Sequence, residues 1–329
     1  MSHFLSCDWG STSFRLRLAD SHTGAVLAEH TSGQGATVIT AGRPLDAGAR
    51  ADLFAGAMTH AIAGLQAKTP TSLARLPVIV SGMATSSHGW REVPYTPLPF
   101  DLSGAGLNFI RETLPAPGAP PRPIFLLAGL TSGQDVMRGE EAEIIGLFQL
   151  PAARPFASRA LLILPGTHSK TVTISGGLVE DFRTYLTGEL YAVLSSHSVL
   201  GRSIAVPAPG FDAQAREAFI AGARMARQRG LLGSLFQTRV NGLFGWLAPQ
   251  ANARFLSGLL IGDEIAHAVA AHPGAPIVLC ANDQLSPLYL AALEDQGAPP
   301  ALVVPPADAA RLSTLGHQAI LNMLLSARA

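Results

Sequence analysis

Hydrophobic and polar positions follow strand-like patterns at the start of the chain. Leu5-Ser6-Cys7-Asp8 resembles a short buried strand, Phe14 to Leu18 alternates apolar and polar residues, and Ala25 to His30 follows a turn-rich stretch. Alternation with a period of two residues is typical of strands, whereas apolar residues spaced by three or four indicate a helix. The pattern predicts three antiparallel strands, then a helix over 44–66 and a buried strand over 77–82.

Similar patterns continue through the rest of the chain. After a long loop over 83–100, the sequence predicts a short helix over 103–113, a strand over Ile124–Leu127 and a helix over 134–150. The second half begins with three further strand-like segments, and helical stretches then alternate with two more strands. The second-half strands are predicted over 161–164, 171–174, 178–185, 277–280 and 302–304, and the helices near 187–200, 212–230, 253–271, 283–293 and 308–326.

Both halves share one predicted order of elements: three strands, helix, strand, helix, strand, helix, with extra helices in the second half. Sliding the chain by 156 residues places Gly10 on Gly166 and Leu16 on Val172. One explanation is an internal duplication, and the other is a chance likeness of two βββα units.

A duplication of this order resembles the plan of the actin/hexokinase/sugar-kinase superfamily, in which ATP binds between the halves. We therefore expect an α/β fold of two duplicated actin/hexokinase (ribonuclease H-like) βββαβαβα lobes with an interlobe cleft. The N-terminal lobe, 1–150, is expected to bind the sugar acid and to carry the first phosphate loop. The C-terminal lobe, 151–329, is expected to carry the second phosphate loop and the adenosine site.

The first predicted hairpin has the composition of an anion-binding loop. Small residues let backbone N–H groups approach phosphate closely, and hydroxyls add donors. Asp8 ends the strand before this turn, and a carboxylate there would repel phosphate unless a metal lay between them, which fits a water-mediated Mg²⁺ ligand. An ordinary Asp-Gly turn is the alternative. The candidate phosphate-binding residues are Gly10, Ser11, Thr12 and Ser13.

A second hairpin after the strand 161–164 has the same chemistry. Lys170 takes the place of the acidic metal partner and could meet phosphate or the substrate carboxylate, and His168 is either a donor or a plain loop residue. No G-x-x-x-x-G-K-[ST] string occurs, which argues against a Walker-type nucleotide site. The candidates in this hairpin are Gly166, Thr167, His168, Ser169 and Lys170.

Two further positions complete the expected kinase site. In the superfamily a pair of glycines passes close to adenosine, and Ala281 and Asn282 stand at that place, which leaves the adenine contacts open. Transfer of a phosphoryl group to a hydroxyl needs a carboxylate that takes the proton. Asp135 is predicted to follow a strand and to open a helix, as in hexokinase-like kinases, and it precedes Gly166 by 31 residues. A simple N-cap would look the same.

Five strings in this sequence resemble one family, the 2-dehydro-3-deoxygalactonokinases of bacterial galactonate breakdown. The resemblance implies ATP and Mg²⁺ as cofactors, and phosphorylation of 2-dehydro-3-deoxy-D-galactonate at O6. The strings are D-W-G-S-T-S-F-R at 8–15, G-M-A-T-S-S-H-G-W-R-E-V-P-Y at 82–95, D-V-M-R-G-E-E at 135–141, L-P-G-T-H-S-K at 164–170 and T-G-E-L-Y-A-V-L-S-S-H-S-V-L-G at 187–201.

A keto acid needs cations or amides for its carboxylate and polar groups for its hydroxyls. The segment 82–95 follows a strand end, where α/β sheets place ligands. Its aromatic residue, Trp90, either stacks on the sugar or covers the core. The substrate-binding candidates are Arg15, Gln34, Ser86, Ser87, His88, Trp90 and Arg138.

Composition narrows the classes of partner. The formal net charge is zero, so a basic nucleic-acid surface does not organise the chain. The apolar runs are shorter than the ~18 residues that span a bilayer, and no signal sequence is recognisable. Two cysteines, Cys7 and Cys280, are too few for a zinc cluster. We expect a cytoplasmic protein with a small sugar acid and ATP as partners, without nucleic acid or membrane, and a homodimer stays open.

Two other functions stay open beside this kinase. One is a kinase for a related sugar or 2-keto-3-deoxy acid, such as 2-keto-3-deoxygluconate. The other is a non-catalytic sugar sensor or an actin-like assembly protein on the same fold. Asp135 favours an enzyme over the latter, since only catalysis needs a base.

Overall fold

The computed structural model describes residues 2–116, 119–207 and 209–326 and divides the chain into two compact units. The first unit comprises Met1–Ala157, Gly177–Asp181 and Ala310–Ala329, and the second comprises Ser158–Gly176 and Phe182–Ala309. The predicted lobe boundary at residue 150 stays a prediction. The C-terminal helix, however, packs with the first unit rather than with the second.

Both units are built from strands and helices. The strands are β1 (His3–Trp9), β2 (Phe14–Asp20), β3 (Val26–Ser32), β4 (Val78–Gly82), β5 (Thr96–Pro97), β6 (Phe100–Asp101), β7 (Phe109–Ala116), β8 (Ala119–Leu127), β9 (Leu130–Thr131), β10 (Val136–Met137), β11 (Arg159–Leu164), β12 (Ser169–Ser175), β13 (Leu178–Tyr185), β14 (Ile277–Leu279) and β15 (Leu302–Val303). The helices are α1 (Ala36–Thr40), α2 (Ala47–Gln66), α3 (Glu140–Leu147), α4 (Thr187–His197), α5 (Ala213–Arg229), α6 (Leu231–Ser234), α7 (Gln237–Leu243), α8 (Pro249–Ala271), α9 (Ser286–Asp295), α10 (Pro306–Ala309) and α11 (Leu312–Ser326).

The sheet of the first unit has the strand order β3-β2-β1-β4-β8-β7. β2 is antiparallel to both of its neighbours, β1 and β3, whereas β4 and β8 run parallel to β1. Consecutive residues of a strand lie on opposite faces of the sheet, and the consecutive residues Phe4 and Leu5 of β1 are both fully buried. The sheet is therefore covered on both sides, as expected for an α/β fold.

Helices α3 and α11 cross at two glycines in the first unit. A Cβ atom built on Gly146 would lie 1.9 Å from the carbonyl oxygen of Leu312, and one built on Gly316 would lie 1.9 Å from that of Ala142. Neighbouring His317 of α11 is fully buried and contacts two strands, with its ring nitrogens 2.8 Å from Ser6 Oγ and 3.0 Å from Ser81 Oγ. Helix α11 is thus fixed to β1, which precedes the first candidate hairpin, and to β4, which precedes the segment after Gly82.

The second unit repeats this topology. Its strands have the order β15-β14-β11-β12-β13, which is the fifth-fourth-first-second-third order of the main strands in the first unit. β11 and β12 are antiparallel, and β14 and β15 run parallel to β11. The predicted duplication and fold class are therefore confirmed. Register refines the predicted match: Cys7 pairs with Leu16, whereas Ile163 pairs with Thr171, so Leu16 corresponds to Thr171 rather than to Val172.

Two predicted helices in the first unit are wrong. Within 103–113 the structure begins strand β7, because its β-branched and aromatic residues pair with β8. The helix predicted over 134–150 begins only at Glu140, since Gly139 has φ 115°, which a helix does not allow, and Val136 pairs with Thr131. Three short helices, α1, α6 and α7, were not predicted from the sequence. Elsewhere β13 and α5 lie within one residue of their predicted bounds.

None of the helices formed by the described residues combines the length and the apolar character that crossing a membrane requires.

Candidate active site

The first candidate hairpin lies between β1 and β2 and is supported from behind by α1. The carbonyl oxygen of Gly10 accepts from Ala36 N at 2.9 Å, and that of Ser11 accepts from Thr37 N at 3.0 Å and from its hydroxyl at 2.6 Å. A Cβ atom on Gly35 would lie 2.2 Å from Ser11 O, so only glycine allows this approach. The carbonyl oxygens of Gly10 and Ser11 therefore accept hydrogen bonds from α1.

Hydroxyls of the hairpin face outward: Thr12 and Ser13 are exposed and Ser11 is half-buried. Such a loop presents donors to an anion. Gln34, by contrast, contributes its backbone carbonyl, which accepts from the indole N–H of Trp9 at 2.9 Å, while its side chain is exposed.

Charges of both signs surround Asp8 at the end of β1. Burial raises the pKa of the Asp8 carboxyl, Arg15 and Arg17 oppose that shift, and Glu140 adds to it. Arg15 lies directly opposite Asp8 on β2 and is 3.7 Å from a Glu29 oxygen. A cation beside Asp8 would relieve the repulsion from Glu140, so the carboxylates suit Mg²⁺, which prefers oxygen ligands. Among the described residues no three His, Cys, Asp or Glu side chains group as a metal site.

Arg138 fixes the segment 82–95 instead of projecting freely into a pocket. Its Nη1 atom donates to the carbonyl oxygen and to the hydroxyl of Thr85, and Nη2 donates to Val93 O at 3.0 Å. The guanidinium also lies 4.2 Å from the ring centroid of Tyr95, a cation–π distance. These contacts assign Arg138 a positioning task, and direct substrate contact stays a prediction.

The predicted substrate residues of 82–95 divide into buried and exposed side chains. Ser86 is buried, and its hydroxyl donates to Met83 O at 2.8 Å. Ser87 and His88 are exposed, with 3.0 Å between Ser87 Oγ and His88 Nδ1. Trp90 is buried, with its ring stacked near Phe54 at 6.5 Å between centroids. Of the two alternatives for Trp90, the structure therefore favours the core. Ser87 and His88 remain accessible candidates.

Asp135 lies in the turn between β9 and β10, so its predicted place at a helix N-terminus is wrong. Its backbone N–H donates to Ser132 Oγ at 3.0 Å, and its Oδ1 atom accepts from Val136 N at 2.7 Å. The half-buried side chain belongs to the first unit, like Asp8 and Arg138. Its assignment as the base stays a prediction.

Glu141, for which the sequence predicts no role, is fully buried at the start of α3. Its Oε2 atom accepts from Gly139 N at 2.6 Å, and no hydrogen bond of the described residues reaches Oε1. Burial raises the pKa of Glu141 to about 8, helped by the neighbouring charge of Glu140. The paired glutamates after Arg138-Gly139 were the only signal, because acidic residues often begin helices without a further role.

In the second unit, the hairpin between β11 and β12 is one residue shorter than its counterpart. Leu164 pairs with Lys170 as Asp8 pairs with Arg15, so the two cations occupy equivalent places. Thr167 and His168 are exposed, and His168 is hydrogen-bonded to Glu189 of α4. Lys170 is buried and donates to the carbonyl oxygen of His168 at 3.1 Å.

Ser169 turns away from the hairpin surface into a buried cluster. Its hydroxyl donates to Glu264 of α8 at 2.6 Å, and the same carboxylate accepts from Thr187 at 2.6 Å and from Tyr289 at 2.8 Å. Burial raises the pKa of Glu264, and the three hydroxyl groups oppose the shift. The sequence does not reveal this cluster, because its members lie on β12, α4, α8 and α9.

A cavity of about 230 Å³ lies beside the second hairpin, entirely within the second unit. It is walled mainly by apolar and aromatic groups, with Arg254 as a cation, which is typical of small-molecule sites. Asn282 is exposed and its Oδ1 accepts from Gln284 N and Leu285 N, so it shapes the loop at the cavity, whereas Ala281 is buried. The walls of the cavity include Gly166, Gly188, Tyr191, Arg254, Leu288 and Tyr289.

Comparisons with known proteins point to one family. The model of a family described as 2-keto-3-deoxy-galactonokinase matches residues 8–316. The 2-dehydro-3-deoxygalactonokinase of Escherichia coli (strain K12) is 31% identical over 303 residues, covering 90% of this chain and 91% of the relative. A relative from Rhizobium meliloti (strain 1021), named as a probable 2-dehydro-3-deoxygalactonokinase DgoK1, is 35% identical over 303 residues, covering 90% of each chain.

A solved structure agrees with these sequence matches. The crystal structure of a protein from Sinorhizobium meliloti, assigned as a 2-dehydro-3-deoxygalactonokinase, is similar to this chain with a TM-score of 0.74 and 31% identity. The similarity covers 97% of this chain and 99% of that chain. The resemblance drawn from the sequence strings is therefore confirmed.

Proposed function

The chain belongs to the 2-keto-3-deoxy-galactonokinase family, and we propose from this premise that it is a sugar-acid kinase. It uses ATP to phosphorylate 2-dehydro-3-deoxy-D-galactonate at O6, giving the 6-phosphate. The observation that carries the proposal is the family match over residues 8–316, which includes both hairpins and Asp135.

The two hairpins are assigned to the phosphates of ATP. Each is a turn between antiparallel strands of a repeated unit, and each presents exposed hydroxyls, Thr12 and Ser13 in one and Thr167 in the other. Backbone N–H groups and hydroxyls in such turns stabilise anions. The hydroxyl of Ser169 is not part of this assignment, because its side chain is buried and donates to Glu264. Phosphate binding by the rest of Ser169 stays a prediction.

Mg²⁺ is assigned to Asp8. A bound Mg²⁺ would neutralise charge on the phosphates during transfer. Asp8 suits this ion as a carboxylate whose pKa is raised by burial and by Glu140 and lowered by Arg15. Mg²⁺ takes one or two carboxylates and completes its shell with water and phosphate oxygens.

Asp135 is proposed as the general base, accepting the proton of the attacking hydroxyl. The support for this assignment is that the D-V-M-R-G-E-E string begins with Asp135 and lies within the residues that the family model matches. The helix N-terminus does not contribute, because α3 begins at Glu140. Ser87, His88 and Arg15 are proposed to bind the sugar acid, because their side chains are accessible.

Adenosine is assigned to the cavity of the second unit. Its volume of about 230 Å³ and its apolar walls suit a base, and Gly166 of the second hairpin lies at its edge. Asn282 contributes by holding the loop at 282–285, and Ala281 by packing beneath it.

An ADP-release assay with a panel of 2-oxo-3-deoxy acids tests the proposal. We expect 2-dehydro-3-deoxygalactonate to give the highest kcat/KM and 2-keto-3-deoxygluconate a lower value. Preference for 2-keto-3-deoxygluconate would favour the related kinase. ATP binding without turnover of any acid would favour the non-catalytic sugar sensor.

We extend the proposal to the setting of the enzyme: a cytoplasmic homodimer, without nucleic-acid or membrane partners. ATP as co-substrate supports the cytoplasm. A homodimer is supported by exposed apolar side chains around α6 and α7, where the rings of Phe244 and Trp246 stack at 5.1 Å and both are exposed. Light scattering measures the molar mass of the wild-type protein and of Trp246→Ser in solution. A wild-type mass equal to that of a single chain would contradict the dimer.

A further inference from the structure

One buried carboxylate in the second unit connects four elements around the cavity. Glu264 of α8 accepts at Oε1 from Ser169 of β12, and at Oε2 from Thr187 of α4 and Tyr289 of α9. We propose that Glu264 is a positioning residue for the nucleotide, fixing the second hairpin and the wall of the adjoining cavity. The inference rests on the proposed function only in taking a nucleoside triphosphate as the ligand.

The second hairpin is held on two sides, by Ser169 on one side and by the first turn of α4 on the other. Ser169 ends the hairpin, so its bond to Glu264 holds the chain where β12 begins. On the other side, the first turn of α4 packs against the hairpin: a Cβ atom on Gly188 would lie 2.5 Å from Gly166 O. The N–H of Glu189 donates to Thr167 O at 3.0 Å. Movement of α4 would therefore displace the hairpin.

Thr187 is the first residue of α4 and determines where that turn lies. It is buried, and its hydroxyl donates to Glu264 at 2.6 Å. The carboxylate thus reaches the hairpin twice, directly through Ser169 and indirectly through Thr187 and Gly188.

Tyr289 extends the same cluster to the cavity wall. Both Tyr289 and Thr187 line the cavity, and the Tyr289 hydroxyl is 2.8 Å from Glu264. Each of the three hydroxyls has one proton to donate, and the carboxylate accepts all three. Removing the acceptors takes the carboxylate partner away from three buried hydroxyls, and the loss of a partner for a buried polar group costs more than a hydrogen bond gains. The Ser169 and Tyr289 hydroxyls, 3.2 Å apart, keep each other as partners.

The decisive variant is Glu264→Met, which keeps the length of the side chain and removes every acceptor. We expect the Kd for a non-hydrolysable ATP analogue with Mg²⁺, measured by calorimetry on the whole chain, to rise about tenfold, because the hairpin and the cavity wall lose the group that holds them in place. The KM for ATP rises with it, and the KM for the sugar acid stays within about twofold, because a general loss of folding would not separate the two.

Two comparisons make the result specific. Glu264→Gln should keep the Kd within about threefold, because the amide oxygen accepts from Thr187 and Tyr289 while the amide donates to Ser169. Asp263→Met, on the same helix and outside the cluster, should leave the Kd unchanged. If Glu264→Met does not fold, Thr187→Val and Tyr289→Phe replace it, and each should weaken the analogue several-fold.

Unchanged analogue binding by Glu264→Met, or by both replacement variants, overturns the inference. An equal rise of KM for ATP and for the sugar acid overturns it as well. Wild type that binds the analogue but turns over no sugar acid refutes the proposed function and leaves the positioning role to be judged on binding alone. Wild type that does not bind the analogue refutes both.

Discussion

Arg138 donates two hydrogen bonds from one nitrogen to Thr85, to its carbonyl oxygen and to its hydroxyl, both at 2.7 Å. The other nitrogen donates to Val93, so a single guanidinium spans the segment 82–95. A lysine ammonium is a compact charge that lacks this fork geometry. The segment that supplies the proposed sugar-acid contacts therefore depends on an arginine at this position.

Arg138→Lys should raise the KM for the sugar acid by about tenfold, since two hydrogen bonds to buried groups are lost. The KM for ATP should change little. Steady-state kinetics with each substrate varied in turn gives both values, and Arg111→Lys on the exposed side of β7 is the matched control. Equal KM values for the sugar acid in both variants would contradict a positioning role.

Asp135→Asn should lower kcat by roughly 10²–10⁴-fold, the usual contribution of a positioned general base. The Kd for ATP should stay within about twofold, because the residue is proposed to act only on the acceptor hydroxyl. The comparison is Asp52→Asn on the exposed surface of α2. If turnover by Asp135→Asn stays near the wild-type rate, the base is another residue.

Glu141 should make the protein less stable as the pH rises. Its pKa is raised from 4.5 to about 8 in the folded state, so between these values the folded chain holds a proton that the unfolded chain has released. The free energy of unfolding then falls with pH by up to about 1.4 kcal/mol per pH unit. Glu141→Gln stays neutral and should remove this slope.

Urea unfolding at several pH values between 5 and 8 measures the effect of Glu141. The wild-type curve should decline more steeply than that of Glu141→Gln, and the two should meet near the acidic end. The exposed Glu180→Gln should follow the wild type. Identical slopes for wild type and Glu141→Gln would show that Glu141 ionises as in the unfolded chain.

The crossing of α3 and α11 should tolerate no side chain at Gly316. Alanine there would place a carbon 1.9 Å from Ala142 O and force the helices apart. Overpacking of this kind costs about 1–3 kcal/mol. Gly56→Ala in α2, where nothing lies within 4 Å, should instead stabilise by about 0.5–1 kcal/mol. Denaturant unfolding measures the free energy of unfolding of both variants. An unchanged free energy of unfolding in Gly316→Ala would contradict the close crossing of the helices.

Local patterns predicted the parts of the fold that depend on local sequence. The strands around both hairpins follow from period-two alternation and turn residues, and the duplicated topology follows from their order. The strand β7 was missed because Phe109 to Leu114 alternates weakly and gains its structure by pairing with β8. Pairing between distant segments overrides local preference.

The turns at Gly10 and Gly166 can be predicted because the chain itself carries small, hydroxyl-rich residues there, and phosphate binding by these turns stays a prediction. Contacts that the fold assembles from distant segments cannot be predicted in this way. The burial of Ser169 and the cluster at Glu264 depend on residues 95 positions apart, which no local pattern reveals. The sequence predicts Asp135 at the start of a helix over 134–150, whereas Gly139 with its positive φ delays the helix to Glu140.

The position of the phosphate on the product tests most directly whether the protein transfers a phosphoryl group from ATP to O6 of the sugar acid. Phosphorus–proton correlated NMR of a reaction with ATP, Mg²⁺ and 2-dehydro-3-deoxy-D-galactonate locates the new phosphate ester. We predict that every new ester signal couples to the two protons on C6 and grows in step with ADP. A phosphate on another oxygen, or ADP released with inorganic phosphate and no ester, would contradict the account.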